Sequence, residues 1–240
     1  MSDDLKDLVD DIDQIMTQQE KSNRYVARVH DYLRRNIMQL PLFRLGLTGG
    51  FATGKSSVAA IFEELGCPIV NADHIVHDLL ANDQKVKEDI RFLLGDDVFN
   101  TDGSVNRSKV GARVFANPEE LRGLEAILHP KVKDIMMQEA NRLEQEGYSI
   151  ACFEIPLLFE ASYEHWCDSV VVVTCDEETQ IQRAMQKFKL SREDAAARIQ
   201  AQMPLTEKEK RADVVISNTS PLENLKSQVE AIYTQLLPQT

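Results

Sequence analysis

From residue 42 onward the chain alternates short apolar runs with longer segments whose apolar positions recur every three to four residues. That alternation belongs to strands buried on both faces and joined by helices. The runs at 42–48, 68–71, 150–155, 169–174 and 213–217 predict five strands, and helical stretches between them predict βαβ units in a parallel sheet. The gap between the second and third runs is too long for one crossover helix, so residues 76–146 are expected to form a mainly helical insertion with a second binding surface. Residues 179–211 are charged and helix-prone, and form the one basic stretch of the chain, with Arg183, Lys187, Lys189, Arg192, Arg198, Lys208, Lys210 and Arg211 in or beside it. What remains, 42–75, 147–178 and 212–240, makes the core. Before residue 42 the spacing is helical in two blocks, at Leu5, Leu8, Ile12, Ile15 and Met16 and again at Tyr25, Val29, Tyr32, Leu33, Ile37 and Leu40, with a polar break near Lys21-Ser22-Asn23, so two amphipathic helices are expected. Residues 1–41 therefore predict a helical extension closed by Pro41. It either packs on the main body or, through residues 1–40, engages a protein partner or a second copy.

Composition narrows the function classes. With 240 residues, 43% of them hydrophobic, the chain can bury one sizeable core and a smaller attached unit. A net charge of −12 excludes a large nucleic-acid footprint, which needs a basic face to release counterions. No apolar run approaches the roughly 18 to 20 residues of a membrane span, and the first thirteen residues hold six aspartates rather than a basic leader. A cytoplasmic protein without membrane contact is expected. The cysteines 67, 152, 167 and 175 form no C-x-x-C pair and sit mostly in apolar runs, so reduced core thiols are expected.

The candidate chemistry starts at Gly49-Gly50-Phe51-Ala52-Thr53-Gly54-Lys55-Ser56, which fits G-x-x-x-x-G-K-[ST] between an apolar strand and an apolar-periodic helix. Glycines let the backbone wrap a phosphate so that N–H groups and the helix N-terminus point at the anion. Lys55 would reach the outer phosphates, Ser57 would extend the binding surface, and the Ser56 hydroxyl would hold Mg²⁺. Neither a D-x-x-G switch nor an N-K-x-D guanine motif occurs, which turns the choice away from a regulatory GTPase and toward a kinase.

Asp73 follows the second strand run, where an open parallel sheet delivers residues to the ligand crevice, and could orient or deprotonate an acceptor hydroxyl. It could equally cap the helix expected to begin near His74. Glu154 ends the third run and could hold Mg²⁺ directly or through water; Asp176, after the fourth run, competes for that role. Arg183 and Arg198 are the leading candidates to meet the transferring phosphoryl group if 179–211 closes as a lid.

Over about residues 44–235 the chain resembles the dephospho-coenzyme A kinase family. Besides the P-loop, the resemblance runs through Asp102-Gly103-Ser104-Val105-Asn106-Arg107, Leu124-Glu125-Ala126-Ile127-Leu128-His129-Pro130, Pro156-Leu157-Leu158-Phe159-Glu160, Gln202-Met203-Pro204 and Arg211-Ala212-Asp213 up to Asn218. It implies a three-layer α/β P-loop kinase fold with a five-stranded parallel sheet, a helical substrate domain and a helical lid. It also implies ATP as donor, Mg²⁺, and dephospho-CoA as the acceptor, phosphorylated on its ribose 3′-hydroxyl. By position, Asp73, His77, Arg107 and His129 fall on the substrate side, and Gln202 and Asn218 fall in the lid and near the nucleotide base. Asn71 stands where the family usually has Asp, Ala52 where it has Gly, His77 and Lys187 where it has Arg, and Glu154 where it has Asp. Ala52 fits if its φ is negative. Two alternatives follow from these changes: a kinase of another nucleotide-like acceptor, and a P-loop regulatory protein that binds nucleotide without transfer.

Overall fold

The computed structural model describes residues 41–219 and 222–236, so the two helices expected within residues 1–40 lie outside the described residues. Five strands, β1 (Phe43–Gly49), β2 (Ile69–Asn71), β3 (Ile150–Glu154), β4 (Ser169–Thr174) and β5 (Val214–Ser217), form one sheet in the order β2-β3-β1-β4-β5. The strand neighbours run parallel, with Leu45 opposite Cys152 and Ser169 on either side of the central strand. The expected strands thus form within a residue or two of their predicted ends, and the fold is the α/β class expected. Buried parallel strands explain the unbroken apolar runs: every residue of β3 is buried, as are the first five of β4.

One face of the sheet meets α1 (Lys55–Glu64) and α9 (Leu222–Leu236), and a continuous core joins Leu45, Leu47, Phe62, Val171, Ile216 and Val229. On the other face Gly46 has no room for a side chain, since a Cβ there would lie 2.7 Å from Cys167 Sγ and 2.8 Å from a Leu158 methyl. Cys67, Cys152 and Cys175 are buried, Cys167 is half-buried, and all four are free thiols. After β4 come α6 (Glu177–Phe188), α7 (Arg192–Gln200) and the short α8 (Leu205–Arg211). Asp176 and Ser191 cap α6 and α7 by accepting from Thr179 N at 2.8 Å and Asp194 N at 3.0 Å.

Residues 71–138 cluster as a second compact unit. It holds α2 (Ala72–Asn82), α3 (Gln84–Leu94), a 3₁₀ turn at Asp96–Val98, α4 (Arg107–Ala116) and most of α5 (Pro118–Gln145). Val86, Ile90, Leu94, Val110, Val132 and Met136 are buried in it. Asn71, Asp83 and Asn106 cap its first three α-helices through their side-chain oxygens. Among the described residues no helix is long and apolar enough to cross a membrane.

Candidate active site

The loop between β1 and α1 is built around two positions that only glycine can fill. A Cβ on Gly49 would stand 2.3 Å from the carbonyl oxygen of Val173, and one on Gly54 would stand 2.1 Å from Asn218 Nδ2 with φ at +94°. Between them Thr53 closes a turn, its Oγ1 donating to Gly50 O at 3.0 Å. Ala52 sits in that turn at φ +60°, not the negative φ expected, because the turn's third position is where the chain must enter the left-handed region. Lys55 Nζ reaches back over the loop and donates to Gly50 O at 2.8 Å and Gly49 O at 3.2 Å. Ser56 and Ser57 follow, exposed on the first turn of α1. The loop opens a ten-residue helix, so first-turn N–H groups and the positive end of the helix dipole lie where the loop ends, an arrangement suited to an anion.

Two side chains from distant parts of the sequence grip this loop. Asn218, buried just past β5, donates from Nδ2 to Thr53 O at 2.8 Å, while its own N–H donates to Thr174 O at 2.8 Å. Arg183, on α6, donates to the same Thr53 O at 3.3 Å and to Asn218 O at 2.9 Å. The guanidinium of Arg183, the residue expected to meet the transferring phosphoryl group, thus braces the loop's backbone. Gln180, one turn earlier on α6, is buried with Oε1 3.2 Å from where a Gly50 Cβ would stand. It was missed in the sequence, where its only signal is a polar residue four before the buried Ala184 on the apolar face of α6. Phe51, at the loop's tip, stacks on Phe188 with ring centroids 5.1 Å apart, and the Arg198 guanidinium lies 5.8 Å from the Phe51 ring. Phe51 and Ala52 also pack on a small cluster of Ile181, Ala184 and Ala195.

Glu154 is buried at the end of β3, in register with Leu47 of the strand that enters the loop. Asp176, its competitor, accepts from Thr179 N and from Thr179 Oγ1 at 2.7 Å, and these bonds hold its carboxyl below the usual range. Those same bonds cap α6. A carboxylate and a serine hydroxyl are hard oxygen donors of the kind Mg²⁺ takes, so Glu154 and Ser56 fit that ion. Gln202, between α7 and α8, has a buried Oε1 with no hydrogen-bond partner among the described residues.

In the second unit, Asn71 rather than Asp73 caps α2, accepting from His74 N at 3.0 Å. Asp73 is exposed in the first helical turn, and His77 follows it one turn later. Arg107 lies 30 residues further on, yet its Nη1 is 2.8 Å from His77 Nδ1. Since a guanidinium only donates, the His77 Nδ1 lone pair accepts. What delivers Arg107 is the segment before it. Asp102 Oδ1 accepts from Ser104 N at 2.9 Å, Gly103 takes φ +81°, Phe99 bridges Val105, and Asn106 caps α4, so that Arg107 is its first residue. His129 sits on α5 immediately before Pro130, half-buried.

A family model described as dephospho-CoA kinase matches residues 43–224. The dephospho-CoA kinase of Geobacillus kaustophilus is 41% identical over 191 residues, covering 80% of this chain and 95% of that protein. Among solved structures, TT1252 from Thermus thermophilus superposes with a TM-score of 0.72 at 35% identity, over 82% of this chain and all of that one. The dephospho-CoA kinase from Campylobacter jejuni superposes at 0.61 with 29% identity, over 81% and 96%.

Proposed function

This chain belongs to the dephospho-CoA kinase family, whose members are ATP-dependent phosphotransferases, and we propose that it transfers the γ-phosphoryl group of ATP to the ribose 3′-hydroxyl of dephospho-CoA, giving CoA and ADP. The observation that carries the donor side is the loop at residues 49–56, whose backbone is held open by Gly49 and Gly54 and braced from outside by Asn218 and Arg183. Lys55, now spanning the carbonyls of Gly49 and Gly50, turns onto the outer phosphates and neutralises charge that grows in transfer. Ser56 and Glu154 are the residues that would hold Mg²⁺, directly or through water; when bound, the ion would supply neutralisation of phosphate charge. Arg198, exposed on α7 beside Phe51, is the lid cation in the proposal.

On the acceptor side, Asp73 orients the hydroxyl and takes its proton. What supports this is its exposure together with its release from capping, which Asn71 performs. His77 and Arg107 form a pair suited to a phosphate-bearing substrate, with Arg107 supplying the charge and His77 fixing one edge of its fork. His129 and Gln202 remain proposed contacts to acceptor and nucleotide. A cytoplasmic location belongs to the same proposal; the net charge of −12 suits neither a polyanion partner nor an anionic membrane surface.

The test is direct. Purified chain given ATP, Mg²⁺ and dephospho-CoA forms CoA, and Lys55→Ala lowers kcat by about a hundredfold or more, the ~3 kcal/mol of one lost electrostatic contact. Absence of turnover beside an active enzyme of the family refutes the acceptor. ATP binding without transfer to any nucleotide-like alcohol would favour a regulatory protein instead.

A further inference from the structure

We propose that Lys208 and Glu160 are positioning residues for phosphoryl transfer, a pair that fixes where the helices after β4 return to the sheet and holds that return against the strand entering the P-loop. The inference deepens the kinase assignment above and rests on it. Lys208 is in α8, whose other lysine, Lys210, pairs with Glu207 at the surface. Lys208 alone turns inward and is completely buried. A fully buried ammonium is rare unless its charge is met. Here Nζ lies 2.9 Å from Glu160 Oε1 and donates to Pro156 O at 3.2 Å.

Both partners have second tasks. The Pro156 carbonyl also accepts from Thr48 Oγ1 at 3.1 Å, and Thr48 is the buried residue directly before Gly49 of the P-loop. Pro156 itself stands two residues after Glu154, the proposed metal acid. Glu160 Oε1 also accepts from the backbone N–H of Met203, in the segment joining α7 to α8. A single cation therefore links the return segment, the chain after Glu154 and the chain before Gly49. The rest of α8 is fastened in the same sense: Glu209 accepts from Thr174, and Arg211 pairs with Glu164 while lying 4.5 Å from the Phe159 ring. Before Met203, α6 and α7 meet the P-loop through the small cluster at its tip and through Arg183. The fixed point about which α6 and α7 would close is thus Met203, set by Glu160 and Lys208.

An ion pair that only stabilises a fold can be replaced by uncharged groups of similar volume with little loss. A pair that positions cannot. The decisive variant is the double Lys208→Met/Glu160→Gln, in which Gln keeps an acceptor for Met203 and neither charge remains. It is expected to melt within about 3 °C of the unsubstituted chain, with kcat down at least about tenfold and KM for ATP changed less than about threefold. A kcat within threefold of the unsubstituted chain overturns the proposal. Should the double variant not melt cooperatively, Lys208→Arg decides: the cation stays but its donors move, and an unchanged kcat again overturns the proposal.

If the unsubstituted chain makes no CoA, it is the acceptor assignment that fails, and the pair is read separately by amide hydrogen exchange over residues 177–202 with a non-hydrolysable ATP analogue at saturation. Exchange slowed by the analogue in the unsubstituted chain but not in the double variant supports the positioning role. Equal exchange in the two chains overturns it.

Discussion

At the scale of single residues, Ala52 concentrates the tension between what a P-loop needs and what this chain supplies. Its φ of +60° places a Cβ in the left-handed region, which costs a non-glycine residue about 1–2 kcal/mol. Glycine there would remove that cost and lose about 0.4–1 kcal/mol through the freer unfolded chain. Ala52→Gly is therefore expected to raise stability by up to about 1.5 kcal/mol, or the melting temperature by up to about 3–6 °C. Ala52→Val, β-branched at positive φ, should lower it by at least as much. Calorimetric melting of the three chains checks both signs; a fall with glycine would mean that the methyl's packing on the Ile181, Ala184 and Ala195 cluster outweighs the strain. The glycines and Lys55 were legible in the sequence because their spacing is itself the chemical requirement. Arg183 was legible only as a cation. That it braces Thr53 O, 130 residues away, follows from the packing of α6 beside the loop, which no local pattern encodes.

At the scale of elements, the strands could be read because parallel strands buried on both faces leave an apolar run with little else to be, and the sheet bears this out. Short polar segments were less legible. Residues 102–107 were specific as a motif, but that Asp102, Gly103 and Asn106 serve mainly to turn the chain and start α4 at Arg107 emerges only from the bridge between Phe99 and Val105. The start of α2 shows how a cap and a chemical group can be confused. Sequence left Asp73 open to both roles, and the structure gives the cap to Asn71. The two roles are separable by substitution. Asn71→Ala should cost about 1 kcal/mol of stability as a lost N-cap. Asp73→Asn should leave the melting temperature within about a degree, as an exposed substitution away from any cap does, while lowering kcat by about 10²- to 10⁴-fold as a lost general base. Equal thermal losses with kcat untouched in both variants would make Asp73 a structural residue.

At the scale of the whole molecule, the sheet is packed closely enough to govern how stability responds to alkali. Burial raises the thiol of Cys152 well above its ordinary range, pushes Cys167 up to about 12 against the opposing pull of the Arg44 guanidinium, and raises Cys175 despite Arg183 beside it. In the unfolded chain the same thiols ionise near their ordinary value of 9.0. Above that pH the unfolded state has lost protons that the native state keeps, so the number bound on unfolding falls and stability must fall as pH rises. The contribution is complete below about pH 9 and is lost progressively toward the folded values, with a limiting slope of about 1.4 kcal/mol per pH unit for each thiol that remains protonated when folded. Chemical denaturation at pH 8, 9.5 and 11 at constant ionic strength should show that decline, and it should be shallower in a variant carrying Cys152→Ala, Cys167→Ala and Cys175→Ala. The same burial predicts that a thiol reagent at pH 8 labels Cys152 and Cys175 only on the timescale of unfolding, and the half-buried Cys167 slowly, because the thiolate is the reactive form. Rapid labelling of the native chain, or an alkaline decline of the same slope in the triple variant, would place the source of the pH dependence elsewhere in the molecule.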